Sequence, residues 1–291
     1  NIFKQFKDLE GEIYSAEVHH IRHNAVILLD DEGNELVLPK SEQIRSDFFR
    51  KGDAVRGVIK SVELRGTKPA IILSRTSPEF LVKLFEQEIP EVFDGLITIE
   101  GVARIPGDKA KIAVDSYDDR IDPVGACVGM KGSRIHGIVR ELGNENIDVI
   151  NYTKNEQLFI ARALSPAKIV SMDIKPAEEV VEGKKGRVDV FLKPEEVSKA
   201  IGKGGVNIRL ASQLTGYEID VQREGIEDED VELTEFVDEI EGWVIEELKK
   251  IGLDTARSVL EKDVAELLKR TDLEEETILE VQQILKEEFE D

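Results

Sequence analysis

Residues 11–75 alternate between apolar and polar positions in five short runs that turn residues separate. The runs are GEIYSAEVHHI, NAVILLDDEG, NELVLP, AVRGVIKSVEL and KPAIILSR. A period of two is typical of strands with one buried face. Five such strands with no long helical pattern between them predict a small antiparallel β-barrel, and the OB fold is the leading candidate.

The period changes after Ser77-Pro78. EFLVKLFEQEI carries apolar residues at helical spacing, and after Pro90 the period returns to two in LITIEGVARI and KAKIAVDS, which predict a two-stranded ribbon. A short helix over residues 123–128, a Gly-x-x-Gly loop starting at Gly129, a helix over 133–142 and a strand over 147–152 are expected next. The order of this segment is therefore α-β-β-α-α-β.

The same order returns further along the chain. NEQLFIARAL predicts a helix, AKIVSMDI and GRVDVFLK predict strands on either side of a charged turn, and Pro194 begins a short helix. A second Gly-x-x-Gly loop starts at Gly202, which lies 73 residues after Gly129, and a helix to Leu214 and the strand YEIDVQ follow. The spacing and order indicate an internal duplication.

The rest of the chain is acidic and has helical periodicity. Apolar residues from Leu233 to Leu248 fall on one face of a predicted helix, and Phe236 and Trp243 are expected to pack into the core of this segment. Two more amphipathic helices are predicted to meet at Thr271, where Thr271 and Glu274 have capping-box spacing. The fold class is thus multidomain α+β, with predicted domains at residues 1–75, 76–152, 153–224 and 225–291.

The charge distribution decides how the net charge is interpreted. The whole chain carries a net charge of −22, which by itself opposes binding to a polyanion. Residues 226–291 hold 24 Asp and Glu against 7 Lys and Arg, so −17 of this charge belongs to the tail. Residues 124–140 and 199–209, which surround the two glycine loops, each carry three basic residues and no acidic one. Both loops are therefore basic segments of an acidic chain.

A glycine loop between two helices allows a ligand to approach the backbone closely, because glycine has no Cβ. The next helix presents unpaired N–H groups and the positive end of its dipole, and a lysine adds full charge. The KH module uses such a loop to clamp four nucleotides of a single strand. A lone Gly-x-x-Gly is more often a simple turn, but two copies in a repeated unit favour nucleic-acid binding. Neither loop has the Walker or dinucleotide-binding spacing.

Candidate RNA-binding residues follow from the loops and their flanks. Ile135 and Ile208, three residues past the last glycine of each loop, are expected to form the floor of a groove for bases. Arg134 and Arg209 are expected to hold flanking phosphates. The full candidate set is Gly129, Met130, Lys131, Gly132, Arg134, Ile135, Lys199, Gly202, Lys203, Gly204, Gly205, Ile208 and Arg209.

Other chemistry has little support in the sequence. Cys127 is the only cysteine, so an intramolecular disulfide is excluded, and we expect a packed thiol rather than a nucleophile. His19, His20 and His23 lack the spacing of a metal motif, and no triad spacing occurs. We therefore predict no enzymatic activity, no cofactor and no metal. With no signal sequence or apolar span, a cytoplasmic protein is expected.

The motifs also resemble a known family. LFEQEIPEVFDGLITIEGVARIPGDKAKIAV, DPVGACVGMKGSRIHGIVRELGNENIDVI and SKAIGKGGVNIRLASQLTGYEIDV closely resemble the NusA family of bacterial transcription factors. The resemblance implies an OB barrel of the S-one ribosomal-protein type, then two tandem KH domains of type II-like order. The acidic tail is similar to the helix-hairpin-helix repeats of some members. By position, Gly129 to Gly132 and Gly202 to Gly205 would clamp RNA.

The resemblance implies a factor that modulates pausing, termination and antitermination by holding single-stranded nascent RNA. Members have a polymerase-binding domain before the barrel, and Asn1 would lie near the end of its linker helix, so polymerase is expected to bind mainly through that domain. The second and third strands lack the aromatic residues on which such barrels stack bases, so we expect the barrel to bind RNA more weakly than the KH pair. The acidic tail is a candidate surface for a basic protein partner or a cover for the chain's own RNA groove, and a monomer is expected.

Two alternatives stay open at this point. The first is a subunit of an RNA-processing or decay complex that also joins such a barrel to KH domains, and co-purification with polymerase rather than a nuclease would separate the two. The second is a protein scaffold without RNA affinity, which predicts that loop charge has no effect.

Overall fold

The computed structural model describes residues 1–224 and 230–290. The chain divides into two compact units, Asn1–Gln222 and Arg223–Asp291. The first unit contains the barrel and both predicted repeats. The second contains the acidic tail.

A barrel opens the first unit. Helix α1 (Ile2–Lys7) precedes five strands, and α1 places Phe6 in the barrel core with no exposed surface. The strands are β1 (Ile13–Ile21), β2 (Ala25–Leu29), β3 (Glu35–Pro39), β4 (Ala54–Arg65) and β5 (Lys68–Ser74). All five lie within the runs of alternating apolar residues or one residue beyond them.

The barrel closes in the order β1-β2-β3-β5-β4. Four of the five pairings are antiparallel, as predicted for this barrel, and β3 pairs with β5 in parallel, which the prediction did not include. A 3-10 turn (Lys40–Glu42) and the segment after it connect β3 to β4. After this connection, β4 pairs with β1 and β5 rather than with β3, and β5 lies beside β3.

The first repeat is the segment from α2 to β8. Its sheet has the order β6-β7-β8, with β6 antiparallel and β8 parallel to β7. Its elements are α2 (Pro78–Glu88), α3 (Pro90–Phe93), β6 (Ile97–Ile105), β7 (Lys109–Ser116), α4 (Pro123–Val128), α5 (Ile135–Glu141) and β8 (Asn146–Asn151). The predicted ribbon is therefore part of a three-stranded sheet.

The second repeat is the segment from α6 to β11, and its sheet has the order β11-β10-β9. Its elements are α6 (Glu156–Ala163), β9 (Ser171–Val181), β10 (Lys184–Leu192), α7 (Pro194–Ile201), α8 (Val206–Thr215) and β11 (Tyr217–Arg223). Most of the predicted charged turn is instead strand, since β9 continues to Val181 and the turn is confined to Glu182 and Gly183. Both repeats follow the predicted α-β-β-α-α-β order.

The two repeats pack directly against each other. Helix α8 of the second repeat lies on β6 and β7 of the first. Leu214 of α8 packs against a small apolar cluster of Ala113, Ile150 and Phe159, and a Cβ at Gly101 would lie 3.2 Å from its Cδ1. Such close packing of backbone and side chain fixes the position of one repeat on the other.

Arg75 joins the barrel to the first repeat. Its guanidinium donates to both carboxylate oxygens of Asp47 at 2.8 and 3.2 Å, and to the side chain and main chain of Glu141 at 3.0 and 2.7 Å. It also donates to the Arg56 carbonyl at 2.7 Å. A buried guanidinium with all its donors engaged holds its partners in one geometry. Residues 1–222 therefore form a continuous platform of three packed parts.

The second unit packs its own apolar core. Its helices are α9 (Gly242–Lys250), α10 (Ala256–Leu260), α11 (Val264–Arg270) and α12 (Glu275–Glu288). The predicted helix from Leu233 to Leu248 was wrong, because a 3-10 turn (Leu233–Phe236) and α9 replace it. Phe236 is buried as expected, whereas Trp243 is 54% exposed. The first five residues predicted for this domain, 225–229, and its last, residue 291, lie outside the described residues.

The capping box expected at Thr271 was also wrong. The Thr271 hydroxyl donates to the Leu267 carbonyl and accepts from Leu273 N–H, and α12 begins after Glu274. A capping box is present at Thr255 and Ser258 instead. Among the helices of the described residues, none has the length and apolar character needed to cross a membrane.

Candidate nucleic-acid interface

The two glycine loops have the same backbone conformation. Gly129 has φ 77° and ψ 172°, and Gly202 has φ 76° and ψ 168°. The last glycines, Gly132 and Gly205, have φ of 75° and 74°. Each last glycine also donates its N–H to the carbonyl of the first glycine of its loop at 3.1 Å. The duplication expected from the sequence therefore extends to the geometry of the loops.

The first glycine of each loop is required by its surroundings. Its combination of φ and ψ is accessible almost only to glycine. A Cβ on Gly129 would lie 2.9 Å from Cγ of Arg134, and one on Gly202 would lie 2.7 Å from Cβ of Asn207. The loop is therefore held tightly against the first turn of the following helix.

Arg134 and Asn207 occupy equivalent positions, and each packs against the first glycine of its loop and bonds to the helix before the loop. The Arg134 guanidinium donates to the Ala126 carbonyl at 2.8 Å. The Asn207 amide donates to the carbonyls of Lys199 and Ala200 at 3.2 and 2.9 Å, and to that of Leu164 at 3.2 Å. Ala126 and Lys199 are themselves 73 residues apart. Each side chain thus satisfies carbonyls that the end of the preceding helix leaves without a helical partner.

The two lysines sit at different places in their loops. Lys131 is the third loop residue and has φ 54°, a left-handed conformation that Gly204 takes in the second loop with φ 64°. Lys203 is the second loop residue and corresponds to Met130, which is 84% exposed. Within residues 1–224 and 230–290, neither lysine has a carboxylate at ion-pair distance. Both loops therefore present an unneutralised ammonium group to solvent.

The other predicted basic residues differ in whether a carboxylate of the protein already pairs with them. Arg209 is exposed and makes no ion pair with a described residue, whereas Lys199 pairs with Glu196 at 3.2 Å. Arg134 pairs with Glu91 at 2.7 Å in addition to its bond to Ala126. The pKa of Glu91 is lowered by its own backbone N–H and by Arg134. Arg134 thus has an intramolecular role, and the phosphate contact expected of it would require this pair to open.

A groove of about 600 Å³ lies between α4 and β8 in the first repeat. Val124 of α4 and Ile147 and Val149 of β8 line it. Ile135, the residue expected on its floor, is 8% exposed and packs in the hydrophobic core beneath. Ile208 is half-buried against the core of the second repeat. The apolar wall therefore belongs to α4 and β8, since the first turn of α5 faces inward.

Lys109 and Asp148 also line this groove, whereas Lys111 is fully buried. Lys109 and Lys111 lie 3.2 and 3.0 Å from the same carboxylate oxygen of Asp148. Burial lowers the pKa of Lys111, and Asp148 opposes that shift. Arg162 and Ser165, which come from the start of the second repeat, also line the groove.

The groove leads to the second loop. Lys109 Nζ donates to Oδ1 of Asn207 at 3.4 Å, and Asn207 is the residue that supports the Gly202 loop. The groove of the first repeat and the glycine loop of the second are thus connected through one side-chain contact. The lining of the groove and the side chain that supports the second loop therefore meet at this contact.

Sequence reasoning missed Asn207 and Lys109. The 73-residue offset pairs Asn207 with Arg134, so the duplication itself carried the signal for the first. Lys109 carried none, because its contact with Asn207 depends on the packing of one repeat against the other. Cys127 is buried, as expected. His19, His20 and His23 are exposed, and no group of three or more metal-binding side chains occurs among the described residues.

Two α-β-β-α-α-β repeats, each with a Gly-x-x-Gly loop exposed between two helices, define a protein with tandem KH domains. Residues 75–152 match the NusA-like first KH domain, and residues 156–229 match the NusA-like second KH domain. The transcription termination/antitermination protein NusA of Thermus thermophilus is 37% identical over 238 residues, 82% of this chain. Its counterpart in Halalkalibacterium halodurans is 39% identical over 223 residues, 77% of this chain. The chain belongs to the NusA family.

The chain spans 60% of the Thermus relative and 56% of the Halalkalibacterium relative. The NusA protein of Rickettsia conorii is 34% identical over 290 residues, which cover 96% of this chain and 56% of that relative. The similarity to the Rickettsia protein thus extends beyond the two KH domains.

Proposed function

We propose that this protein is an RNA-binding transcription factor that holds single-stranded nascent RNA and thereby modulates pausing, termination and antitermination. The single observation that carries the proposal is the connection of the first groove to the second loop through Lys109 and Asn207. A strand in the groove would pass from Val124 and Val149 to the unneutralised Lys203. The names of the relatives support a role in transcription.

The clamp in this proposal consists of the two loops and their free charges. Lys131, Lys203 and Arg209 would contact phosphates, and the glycines would allow the backbone to approach them closely. Met130 would cover the strand at the first loop. Lys199 would contribute when it leaves Glu196, and Ile208 would support bases at the second repeat.

The proposal also assigns a domain type to each part of the chain. Residues 1–75 would be an OB barrel of the S-one type, residues 76–152 and 153–224 the two KH domains, and residues 225–291 a helix-hairpin-helix module. We further propose a monomeric, non-enzymatic cytoplasmic protein that works with RNA polymerase, and an acidic module that binds a protein partner. Charge supports the last point, since a strongly acidic surface attracts a basic one.

A fluorescence-anisotropy titration tests the RNA-binding part. The ligand is an unstructured RNA of about 8 nucleotides, four for each KH module. Binding should weaken as salt rises, with a log–log slope of about 0.7 for each phosphate contacted. Absence of binding at low salt would overturn the proposal.

A co-purification experiment tests the part that concerns transcription. The tagged chain is added to a bacterial extract treated with nuclease, so that RNA cannot bridge proteins. Recovery of RNA polymerase subunits above the level of an untagged control would support the proposal, and the yield should be low if polymerase binds mainly through the domain that precedes the barrel in the family. Recovery of a ribonuclease complex without polymerase would support the alternative, a subunit for RNA processing or decay.

A further inference from the structure

The chain has three sulfur-bearing side chains, and only one of them is mainly exposed. They are Cys127, Met130 and Met172, and all three lie in the described residues. Cys127 is fully buried, and burial raises the pKa of its thiol to about 12, so little of the reactive thiolate is present at neutral pH. Met172 is half-buried against the core of the second KH domain. Met130 is 84% exposed, and it is the second residue of the first glycine loop.

The backbone of the loop holds Met130 in this exposed position. The Met130 carbonyl accepts from the N–H of Ser133 at 3.0 Å, and the N–H of Gly132 donates to the Gly129 carbonyl at 3.1 Å. Lys131 and Gly132 have φ of 54° and 75°, in the left-handed region. Because these bonds close the loop on itself, its backbone keeps the thioether on the outside. The sulfur is therefore accessible to a small oxidant.

The two loops differ in what they offer to RNA at this position. Met130 corresponds to Lys203, so the first loop has a neutral thioether where the second has an ammonium group. A thioether contacts bases through dispersion and through the favourable approach of sulfur to an aromatic ring. Such a contact depends on an apolar side chain. An oxygen atom on the sulfur would weaken it and would place the negative end of a dipole beside the phosphates.

We propose that Met130 is an oxidation site, and that conversion of its thioether to the sulfoxide weakens the hold of the first loop on RNA. The inference rests on the proposed RNA binding and adds regulation of the same loop. The oxidant is hydrogen peroxide. A lone pair of the sulfur attacks one peroxide oxygen to form the S–O bond, the O–O bond breaks, and the other oxygen leaves as hydroxide and takes the remaining proton to form water. The sulfur thus loses two electrons, which the peroxide gains.

The modification is reversible and confined to the clamp. Methionine sulfoxide reductases return the sulfoxide to the thioether, with one enzyme for each stereoisomer. Mild peroxide should reach Met130 well before Met172, since only Met130 is mainly exposed. The chain would therefore lose RNA affinity under peroxide while its cores stay intact, and reduction would restore the affinity.

Peroxide treatment of three full chains tests this site. Wild type, Met130→Leu and Met172→Leu are treated with hydrogen peroxide, freed of it with catalase, and titrated with the short RNA, the unstructured RNA of about 8 nucleotides. Each chain is compared with its own untreated sample, so that any effect of a substitution on the starting affinity cancels. Treatment should weaken binding by wild type and Met172→Leu by roughly fivefold and leave Met130→Leu unchanged. Peptide mass spectrometry should find the added oxygen on Met130 before Met172.

Further readouts distinguish the loss of this contact from damage to the fold. Treatment with both reductases should restore the affinity of oxidised wild type. The log–log salt slope should stay the same, because a thioether carries no charge. The thermal midpoint should also stay the same, because Met130 is exposed. A loss of affinity that the reductases do not reverse, or that accompanies a lower thermal midpoint, would overturn the inference.

The outcomes separate this inference from the proposed function. If untreated wild type does not bind the short RNA, the proposed function fails first. If it binds, and complete oxidation of Met130 leaves its affinity unchanged, only the oxidation site fails. Equal losses by wild type and Met130→Leu would place the damage elsewhere in the chain and would also overturn the inference.

Discussion

Arg134 and Asn207 perform the same task in the two KH domains with different chemistry. Each follows its Gly-x-x-Gly loop at the same position and donates to the end of the preceding helix, Arg134 to Ala126 and Asn207 to Lys199 and Ala200. Arg134 is half-buried and needs Glu91 as a counter-ion, whereas Asn207 is 2% exposed and uncharged. The loop geometry has thus been kept while the side chain that supports it has changed.

Removal of the Asn207 amide should destabilise the second KH domain. Asn207→Ala leaves three carbonyls without this donor, and we expect a loss of about 2–3 kcal/mol in the free energy of unfolding. Urea unfolding followed by far-UV circular dichroism measures it. Gln213→Ala on the same helix is the control, because Gln213 is exposed and its change should stay within about 0.5 kcal/mol. Equal midpoints for the two variants would contradict the role of Asn207.

The first glycine of each loop should tolerate no side chain. Gly202→Ala forces a conformation that costs about 1–3 kcal/mol for the backbone alone, and its Cβ would lie 2.9 Å from the Asn207 backbone nitrogen. RNA affinity should fall together with the thermal midpoint. Gly137→Ala is the matched control, since a Cβ there meets nothing within 4 Å. In helix α5 it should raise stability by about 0.5–1 kcal/mol. If Gly202→Ala behaved like Gly137→Ala, the tight loop would be refuted.

Cys127 should be protected from thiol reagents. Burial, and then the charge of Glu91, raises the pKa of its thiol to about 12. Because the folded thiol holds its proton more tightly than the unfolded one, its contribution to stability is full below the ordinary pKa of about 8.5 and is lost as the pH rises towards 12. Labelling with an aromatic disulfide reagent between pH 7 and 9 should be slow in the native chain. In urea, one thiol should react rapidly, and rapid native labelling would contradict the burial.

The strand and helix order was predictable because short-range patterns decide it. Alternation located the five barrel strands, and the 73-residue offset located both loops. The parallel pairing of β3 with β5 was not predictable, because it depends on how the barrel closes. The charged segment after Ile174 looked like a turn, yet it continues β9. Cross-strand contacts such as Lys175 with Asp189 at 2.9 Å stabilise it there.

The glycine loops of the candidate site were predictable from the sequence, whereas the roles of the residues around them were less so. Glycine spacing identifies the clamp whatever the rest of the fold does. The ion pair of Arg134 with Glu91 spans 43 positions, so a basic residue beside the loop looked free in the sequence. The helical spacing of Ile135, Ile138 and Leu142, which all pack in the core of the first repeat, carried the signal that Ile135 faces inward. Trp243 was wrongly predicted to be buried, because one continuous helix was assumed where the structure has a 3-10 turn (Leu233–Phe236) and α9.

The lysines of the two loops allow the most direct test of the central claim, that RNA lies across both. The Lys131→Gln/Lys203→Gln chain is compared with Lys4→Gln/Lys68→Gln, which removes the same charge from exposed positions elsewhere. The measurement is anisotropy of the short RNA over a series of salt concentrations. The loop variant should bind at least about tenfold more weakly, with a log–log salt slope smaller by about 1.4, and the control should match wild type. If the loop variant binds as tightly and with the same slope as the control, the loops are turns and the RNA lies elsewhere.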